Sequence, residues 1–244
     1  GILCLFYMKK KYPILKLSRE EWKADRHYMV NLCNMGVPMG LQYSITAIGS
    51  VILQSAVNTL GSVAVASVTA ASKVSLFLMC PFDAMGSTMA TYGGQNVGAG
   101  KLERLGQGLK ACTILGMIYS VIALVLVLTA GNFFLLLFVD ATETVILGNA
   151  LHFLKVNVWF YGLLALVNIV RFLIQGMGFP RFAVLAGVFE MVARAFAGFV
   201  LVPMFGFNAA CLGNPFAWFM ADLFLIPAFF HVSKKLRQMF AKTA

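Results

Sequence analysis

The sequence predicts an all-α polytopic membrane protein built as a bundle of six transmembrane helices. Of its 244 residues, 60% are hydrophobic and only 11% are charged, whereas a soluble domain has about 25% charged residues. The stretch 28–72 contains no Asp, Glu, Lys or Arg and is long enough for two crossings of about 20 residues each. Two further charge-free runs, 111–139 and 195–221, are each long enough for one crossing. These three observations exclude a water-soluble domain.

The individual spans follow from the apolar runs and from the turn residues between them. The predicted crossings are 36–58, 63–90, 110–131, 147–175, 181–204 and 209–231. Glycine-containing turns at 58–62 and 176–180 predict tight hairpins. Residues 1–35 are interpreted as the end of a preceding span and a cytoplasmic amphipathic connector, with a helix starting near Arg19 after a capping box. Residues 233–244 are interpreted as a basic cytoplasmic tail.

The loop charges predict an orientation. Basic residues cluster before the first span, between the second and third, and after the sixth, whereas the loops 59–62, 132–146 and 205–208 contain no Lys or Arg. Because Lys and Arg accumulate in cytoplasmic loops, both termini are expected in the cytoplasm. The expected location is the cell membrane, with the lipid bilayer as a direct partner.

The net charge of +10 does not indicate a nucleic-acid partner. The basic residues form short clusters between apolar spans and do not lie on an aromatic-rich binding surface. The five cysteines have no paired spacing and are interpreted as small apolar residues, and the three histidines are too dispersed for a local metal site. No disulfide framework, metal or organic cofactor is therefore expected.

Several charged residues fall within or near the predicted spans, where each costs roughly 2.5–3.5 kcal/mol. They are Lys73, Asp83, Lys155, Arg171, Glu190, Arg194 and Asp222. Lys155, Asp83 and Arg171 are close enough to span ends for their side chains to reach the membrane surface. The other charged residues require an ion-pair partner, a water-filled cavity or a functional role.

Glu190 and Arg194 are four residues apart, so they lie on one helix face and can form an ion pair. Glu190 and Asp222 are expected at similar depth on neighbouring antiparallel helices, facing protein or a cavity. If Arg194 pairs with Glu190, Asp222 must interact with Arg171, with a polar side chain or with water. Two roles stay open for this cluster: it holds helices together, or it helps to move cations.

Three strings in the sequence carry a family resemblance. They are GVPMGLQ at 36–42, GGQNVGAGK at 93–101 and QGMG at 175–178. In this order, spacing and common cytoplasmic side, they resemble the C-terminal six-helix lobe of the multidrug and toxic compound extrusion (MATE) family. The likeness covers nearly the whole chain.

The resemblance implies one lobe of a twelve-helix secondary transporter that exchanges Na⁺ or H⁺ for amphipathic, often cationic, drugs. Its partner would be the N-terminal lobe of the same transporter. Some branches of the family carry acidic cation-binding residues in the first and fourth helices of this lobe. The matching stretches here, which include Gln42 and Asn168, lack a carboxylate, so the coupling ion stays undecided. The candidate pathway residues are Gln42, Lys73, Asp83, Asn168, Arg171, Glu190, Arg194 and Asp222.

Two other functions are alternatives to an antiporter. A flippase for lipid-linked saccharides shares the architecture of the related superfamily, and Lys73, Arg171 and Arg194 are basic residues that a pyrophosphate headgroup would need. An intramembrane enzyme would need paired acids, a nucleophile with a base, or metal ligands at membrane depth. The spans contain no HExxH or GxSxG motif, so the chain is not expected to be an enzyme.

Overall fold

The computed structural model describes residues 2–12 and 25–243, and these residues are almost entirely helical. The helices are α1 (Ile2–Lys11), α2 (Arg26–Asn58), α3 (Ser62–Gly98), α4 (Glu103–Leu136), α5 (Thr144–Trp159), α6 (Tyr161–Gly176), α7 (Pro180–Phe196), a π-helical turn (Ala197–Leu201), α8 (Val202–Phe205) and α9 (Phe207–Thr243). The connector helix expected near Arg19 lies outside the described residues.

The chain forms two compact units, residues 1–37 and 38–244. In the first unit, the described residues comprise α1 and the first turns of α2. Asp25 caps α2, because its carboxylate accepts a hydrogen bond of 2.8 Å from the backbone N–H of His27. The second unit contains the rest of α2 and all the later helices.

Five segments in the described part of the chain are long and apolar enough to cross a membrane: α2, α3, α4, the run from α7 to α8, and α9. The helices α5 and α6 pass the same test as a pair, although they meet at an angle of 54°. With this bent pair taken as one span, the predicted six-span helical bundle is confirmed.

The bend between α5 and α6 was not predicted, because residues 147–175 read as one continuous apolar span. Asn157 lies just before the break at Phe160. Its side-chain amide donates to the Phe153 carbonyl at 2.9 Å and to the Cys211 carbonyl of α9 at 3.2 Å. A side chain that bonds to backbone carbonyls competes with the regular helix and favours a bend.

The helices also continue beyond the predicted membrane limits. Helix α3 ends at Gly98 and α9 continues to Thr243, so the described part of the basic C-terminal segment is helical. Apolar runs mark only the part of a helix that contacts lipid. Helical hydrogen bonding itself continues into the aqueous region, where hydropathy carries no signal for it.

An aromatic cluster holds four helices of the second unit together. The Phe82 ring of α3 packs edge-on against Tyr119 of α4, with 5.1 Å between the ring centroids, and against Tyr161 of α6, with 5.7 Å between the ring centroids. The Tyr161 ring in turn packs edge-on against Trp218 of α9, with a centroid separation of 6.0 Å. Edge-to-face aromatic pairs add about 0.5–1.5 kcal/mol each beyond their buried area. This cluster fixes the helices that position the site described below.

The loop between α4 and α5 is the longest connection between spans in the described range 25–243, and it carries the acidic residue Asp140. The Asp140 carboxylate accepts hydrogen bonds from the backbone N–H of Thr142 at 3.0 Å and from its hydroxyl at 2.9 Å. These bonds favour the ionised form and lower the pKa of Asp140.

The predicted orientation is testable by labelling single cysteines in a variant that lacks the five native ones. We expect Ala141→Cys, in the acidic loop, to react with a membrane-impermeant maleimide on intact cells, since loops poor in Lys and Arg face outward. Lys101→Cys, in the loop between α3 and α4, is the matched control and should react only after permeabilisation. The reverse pattern would overturn the orientation.

Candidate functional site

The second unit contains a cavity of about 800 Å³ bounded by α2, α3, α5, α6, α7 and α9. Among the residues selected from the sequence, six line it: Gln42, Asp83, Asn168, Arg171, Glu190 and Arg194. Its volume lies within the range of sites that hold drug-sized molecules, about 300–1,000 Å³.

A buried charged triad forms one wall of the cavity. Arg171 of α6 donates from Nη2 to Glu190 Oε1 of α7, and Arg194 of α7 donates from Nη1 to Glu190 Oε2 at 3.1 Å. Arg194 Nε also donates to Asn214 Oδ1 of α9 at 3.3 Å. All three charged residues are buried: Arg171 and Arg194 are each 5% exposed, and Glu190 is 2% exposed. One carboxylate therefore serves two guanidinium groups and connects α6 with α7, and the bond from Arg194 to Asn214 extends the connection to α9.

The ion pair expected from the i,i+4 spacing of Glu190 and Arg194 is present. The second ion pair, between Arg171 and Glu190, was not anticipated, because Arg171 was assigned to Asp222 or to the membrane surface. Arg171 and Glu190 are on different helices, so their proximity depends on how α6 packs against α7 and carries no signature in local spacing.

Asp222 lies close to this triad but outside the cavity lining. It is 4% exposed, and neither carboxylate oxygen has a hydrogen-bond partner within the described residues. It interacts electrostatically with Arg171, although Arg171 donates to Glu190. Asp222 therefore lies within electrostatic reach of Arg171 but forms no direct bond to it; its expected common depth with Glu190 stays a prediction.

A neutral polar bridge lies beside the charged triad. Gln175 Nε2 of α6 donates to Gln42 Oε1 of α2 at 2.7 Å, and both side chains are buried. Asn168, one turn before Arg171 on α6, is also buried and lines the cavity. Side-chain hydrogen bonds between transmembrane helices are worth about 0.6 kcal/mol on average, so this bridge aligns α2 with α6 more than it stabilises the fold.

The cavity opens along one face of α3. The residues of this face are Ser72, Leu76, Cys80, Asp83 and Ser87, which are all exposed and all line the cavity. Their spacing of three or four residues places them in one stripe. Asp83 forms no ion pair within residues 25–243. Lys73, by contrast, points away from the cavity, with Nζ 5.6 Å from the centre of the Phe138 ring.

Apart from Gln42 and Asn168, the uncharged part of the lining was not predicted from the sequence. Asn157, Asn214, Tyr43 and Trp218 all contribute, and their residue types alone do not distinguish a cavity from a packed helix interface. The polar stripe on α3 was detectable in principle, because its polar members recur at helical spacing inside an apolar span.

Buried charges that line a cavity between transmembrane helices are typical of substrate and ion pathways. The fold and the cavity together define this chain as a polytopic helical membrane protein with an internal cavity. A profile of the MatE family matches residues 38–200. The chain therefore belongs to the multidrug and toxic compound extrusion family, as the sequence resemblance implied.

Individual relatives are similar over almost the whole chain. It is 23% identical over 246 residues to the probable multidrug resistance protein YoeA of Bacillus subtilis (strain 168), covering 98% of this chain and 52% of that protein. Its fold resembles the outward-facing conformation of a multidrug resistance MATE family transporter of the MOP superfamily, with a TM-score of 0.86 and 17% sequence identity. The match covers 97% of this chain and 54% of the other.

The inward-facing conformation of a multidrug resistance MATE family transporter is also similar, with a TM-score of 0.73 and 17% identity over 93% of this chain and 52% of the other. The chain spans about half the length of the relatives that it matches.

Proposed function

We propose that this chain is one lobe of a secondary active antiporter that exports amphipathic, cationic drugs in exchange for an inward flow of cations. The observation that carries the proposal is the cavity of about 800 Å³ with its buried charged wall. Family membership supports it, and transporters of this fold occur in inward-facing and outward-facing conformations. Alternation between two such states would expose the cavity to each side of the membrane in turn.

The proposal includes a second, N-terminal lobe that covers the cavity. The exposed stripe on α3 carries Ser72, Asp83 and Ser87, and polar and ionised side chains that face lipid are unfavourable. A facing lobe would remove this stripe from lipid and close the substrate pathway. We further propose that the complete transporter lies in the cell membrane with both termini of this chain in the cytoplasm.

Asp83 is the proposed contact for the positive charge of the substrate. It lies in the cavity lining together with the aromatic rings of Tyr43, Phe77 and Phe172. A carboxylate beside aromatic rings suits an amphipathic cation, because the rings contact its apolar body and their faces also attract positive charge. Arg171 and Arg194, in contrast, are both occupied by Glu190.

The positions of the basic residues argue against a flippase for pyrophosphate-linked lipids. Two of the three basic residues considered for that function share a carboxylate, and the third, Lys73, contacts an aromatic ring outside the cavity. We therefore do not adopt that alternative.

The substrate assignment is testable with Asp83→Asn in the complete transporter. We expect the KM for export of ethidium, a hydrophobic cation, to rise about tenfold, the factor that corresponds to 1.4 kcal/mol, while export of a neutral hydrophobic drug is unchanged. Transport into inverted membrane vesicles, normalised to the amount of folded protein, provides the measurement. Asp140→Asn makes the same chemical change in the exposed loop and is the control. An equal loss for the cationic and the neutral drug would contradict the assignment.

A further inference from the structure

The charges around Asp222 are unevenly distributed. The triad of Arg171, Glu190 and Arg194 contains two positive groups and one negative group, and Asp222 beside it has no hydrogen-bond partner in the described part of the chain. An ionised carboxylate without hydrogen bonds in an apolar interior is so costly that the group takes up a proton instead. Asp222 is 4% exposed, so bulk water contributes little to its solvation.

The groups around Asp222 come from the elements packed against α9, which include α5, α6, α7, α8 and the π-helical turn. Helix α2 also lies against α9, with Leu53 beside Gly213, and it contributes the phenol of Tyr43, which interacts with Arg171. Helix α6 contributes Arg171, which interacts electrostatically with Asp222. Helix α7 contributes Glu190 and Arg194, and Arg194 is also bonded to Asn214 of α9. These are the charged groups of the cluster.

The other packed elements contribute no charge to the cluster. Helix α8 and the π-helical turn contain no titratable residue. On α5, the His152 ring nitrogen Nε2 lies 3.1 Å from Asn208 Oδ1, and Asn208 is about 21 Å from Asp222 along α9 at 1.5 Å per residue. Lys155 of α5 forms no ion pair within residues 25–243.

We propose that Asp222 is a proton-binding site of this lobe, and that its proton decides whether Arg171 bonds to Glu190 of α7 or to Asp222 of α9. With the proton bound, Asp222 is neutral and Arg171 shares Glu190 with Arg194, which is the arrangement in this structure. When the proton leaves, two one-to-one pairs form: Arg171 with Asp222, and Arg194 with Glu190. Each arrangement gives every ionised carboxylate a guanidinium partner.

This exchange provides a two-state element between helices. Arg171 on α6 changes its partner from α7 to α9, so proton binding favours one packing of these helices and proton release favours the other. A ligand shifts such an equilibrium by its difference in affinity for the two states, and here the ligand is a proton. The link to transport rests on the proposed antiport function, in which an entering proton would drive the lobe between its two conformations.

The chemistry of the site selects a proton over a sodium ion. Hard metal cations bind to several oxygen ligands at once, and the guanidinium group of Arg171, which interacts electrostatically with Asp222, would repel a metal ion. No group of three or more His, Cys, Asp or Glu residues that could hold a metal ion occurs among the residues searched, which are those that the structure describes. A proton needs one carboxylate oxygen only.

The site is testable by infrared difference spectroscopy of the purified complete transporter during a pH titration. We expect a carbonyl band of a protonated carboxylic acid that disappears in Asp222→Asn and persists in Asp140→Asn, the matched exposed control. Replacing choline chloride with sodium chloride should leave the band unchanged. If Asp222→Asn keeps the band, or if sodium removes it from the wild type, the proposal is wrong.

Glu190→Gln gives a second, independent result that does not depend on the folding of Asp222→Asn. With the charge of Glu190 removed, Arg171 should bond to Asp222, so the carboxylic acid band should disappear at neutral pH although Asp222 is still present. An unchanged band in folded Glu190→Gln would contradict the exchange of partners.

These spectra need no transport substrate, so they separate the site from the proposed antiport function. Loss of the band in both variants without any proton-driven export of ethidium by the wild type would overturn the function and support the site. Proton-driven export of ethidium by a wild type that shows no band dependent on Asp222 would support the function and overturn the site.

Discussion

Replacing Glu190 with leucine should destabilise the folded lobe by about 3–5 kcal/mol, the range for removing one partner of a buried ion pair. Glu190 is the only carboxylate that bonds to Arg171 and Arg194 among the residues the structure describes. Without it, two buried guanidinium groups on neighbouring helices lose the carboxylate that they share. The measurement is thermal unfolding of detergent-purified protein, monitored by size-exclusion chromatography after heating.

The matched control removes all three charges. The variant Arg171→Met, Glu190→Leu, Arg194→Met should unfold at a higher temperature than Glu190→Leu alone, because buried ionic triads are often replaced by apolar residues without loss of stability. It should lose transport, since the charged wall of the cavity is gone. A triple variant that is less stable than Glu190→Leu would show that the two arginines stabilise the fold even without Glu190, which would contradict this prediction.

Replacing Gly176 with alanine should separate α3 from α6 and cost about 1–3 kcal/mol or more. A Cβ atom at Gly176 would lie 2.1 Å from the carbonyl oxygen of Ala90 and 2.8 Å from its Cα. Because these are backbone atoms, no side-chain rotation relieves the overlap. Helix α6 carries Arg171 and α3 carries Asp83, so the displacement would also reduce transport. Thermal unfolding and vesicle transport measure the two effects.

Gly148→Ala in α5 is the control for this substitution. No atom lies within 4 Å of a Cβ at Gly148, and alanine is favoured over glycine inside a helix by about 1 kcal/mol. Gly148→Ala should therefore unfold at the same or a higher temperature than the wild type. Equal behaviour of Gly176→Ala and Gly148→Ala would show that α3 and α6 tolerate a wider separation than the structure indicates.

Local patterns predicted the features that depend on neighbouring residues in the chain. The apolar runs predicted six spans, because lipid requires about 20 apolar residues from each crossing helix. The i,i+4 spacing predicted the ion pair of Glu190 with Arg194, because helix geometry alone places both side chains on one face. The same reasoning did not detect the break at Phe160, whose proposed cause, Asn157, bonds to a carbonyl of a distant helix.

The sequence by itself determined that this protein is a multispanning helical membrane protein with charges that need partners inside the bilayer. It also determined the family, through short strings that keep their order and spacing. The tertiary structure alone decided that Arg171 bonds to Glu190 and not to Asp222, that Lys73 lies outside the cavity, and that further uncharged residues such as Asn157 and Asn214 complete the lining. The physical reason is that these contacts join helices far apart in sequence, and their distances depend on how the helices pack. Hydropathy and spacing describe one helix at a time and contain no information on that packing.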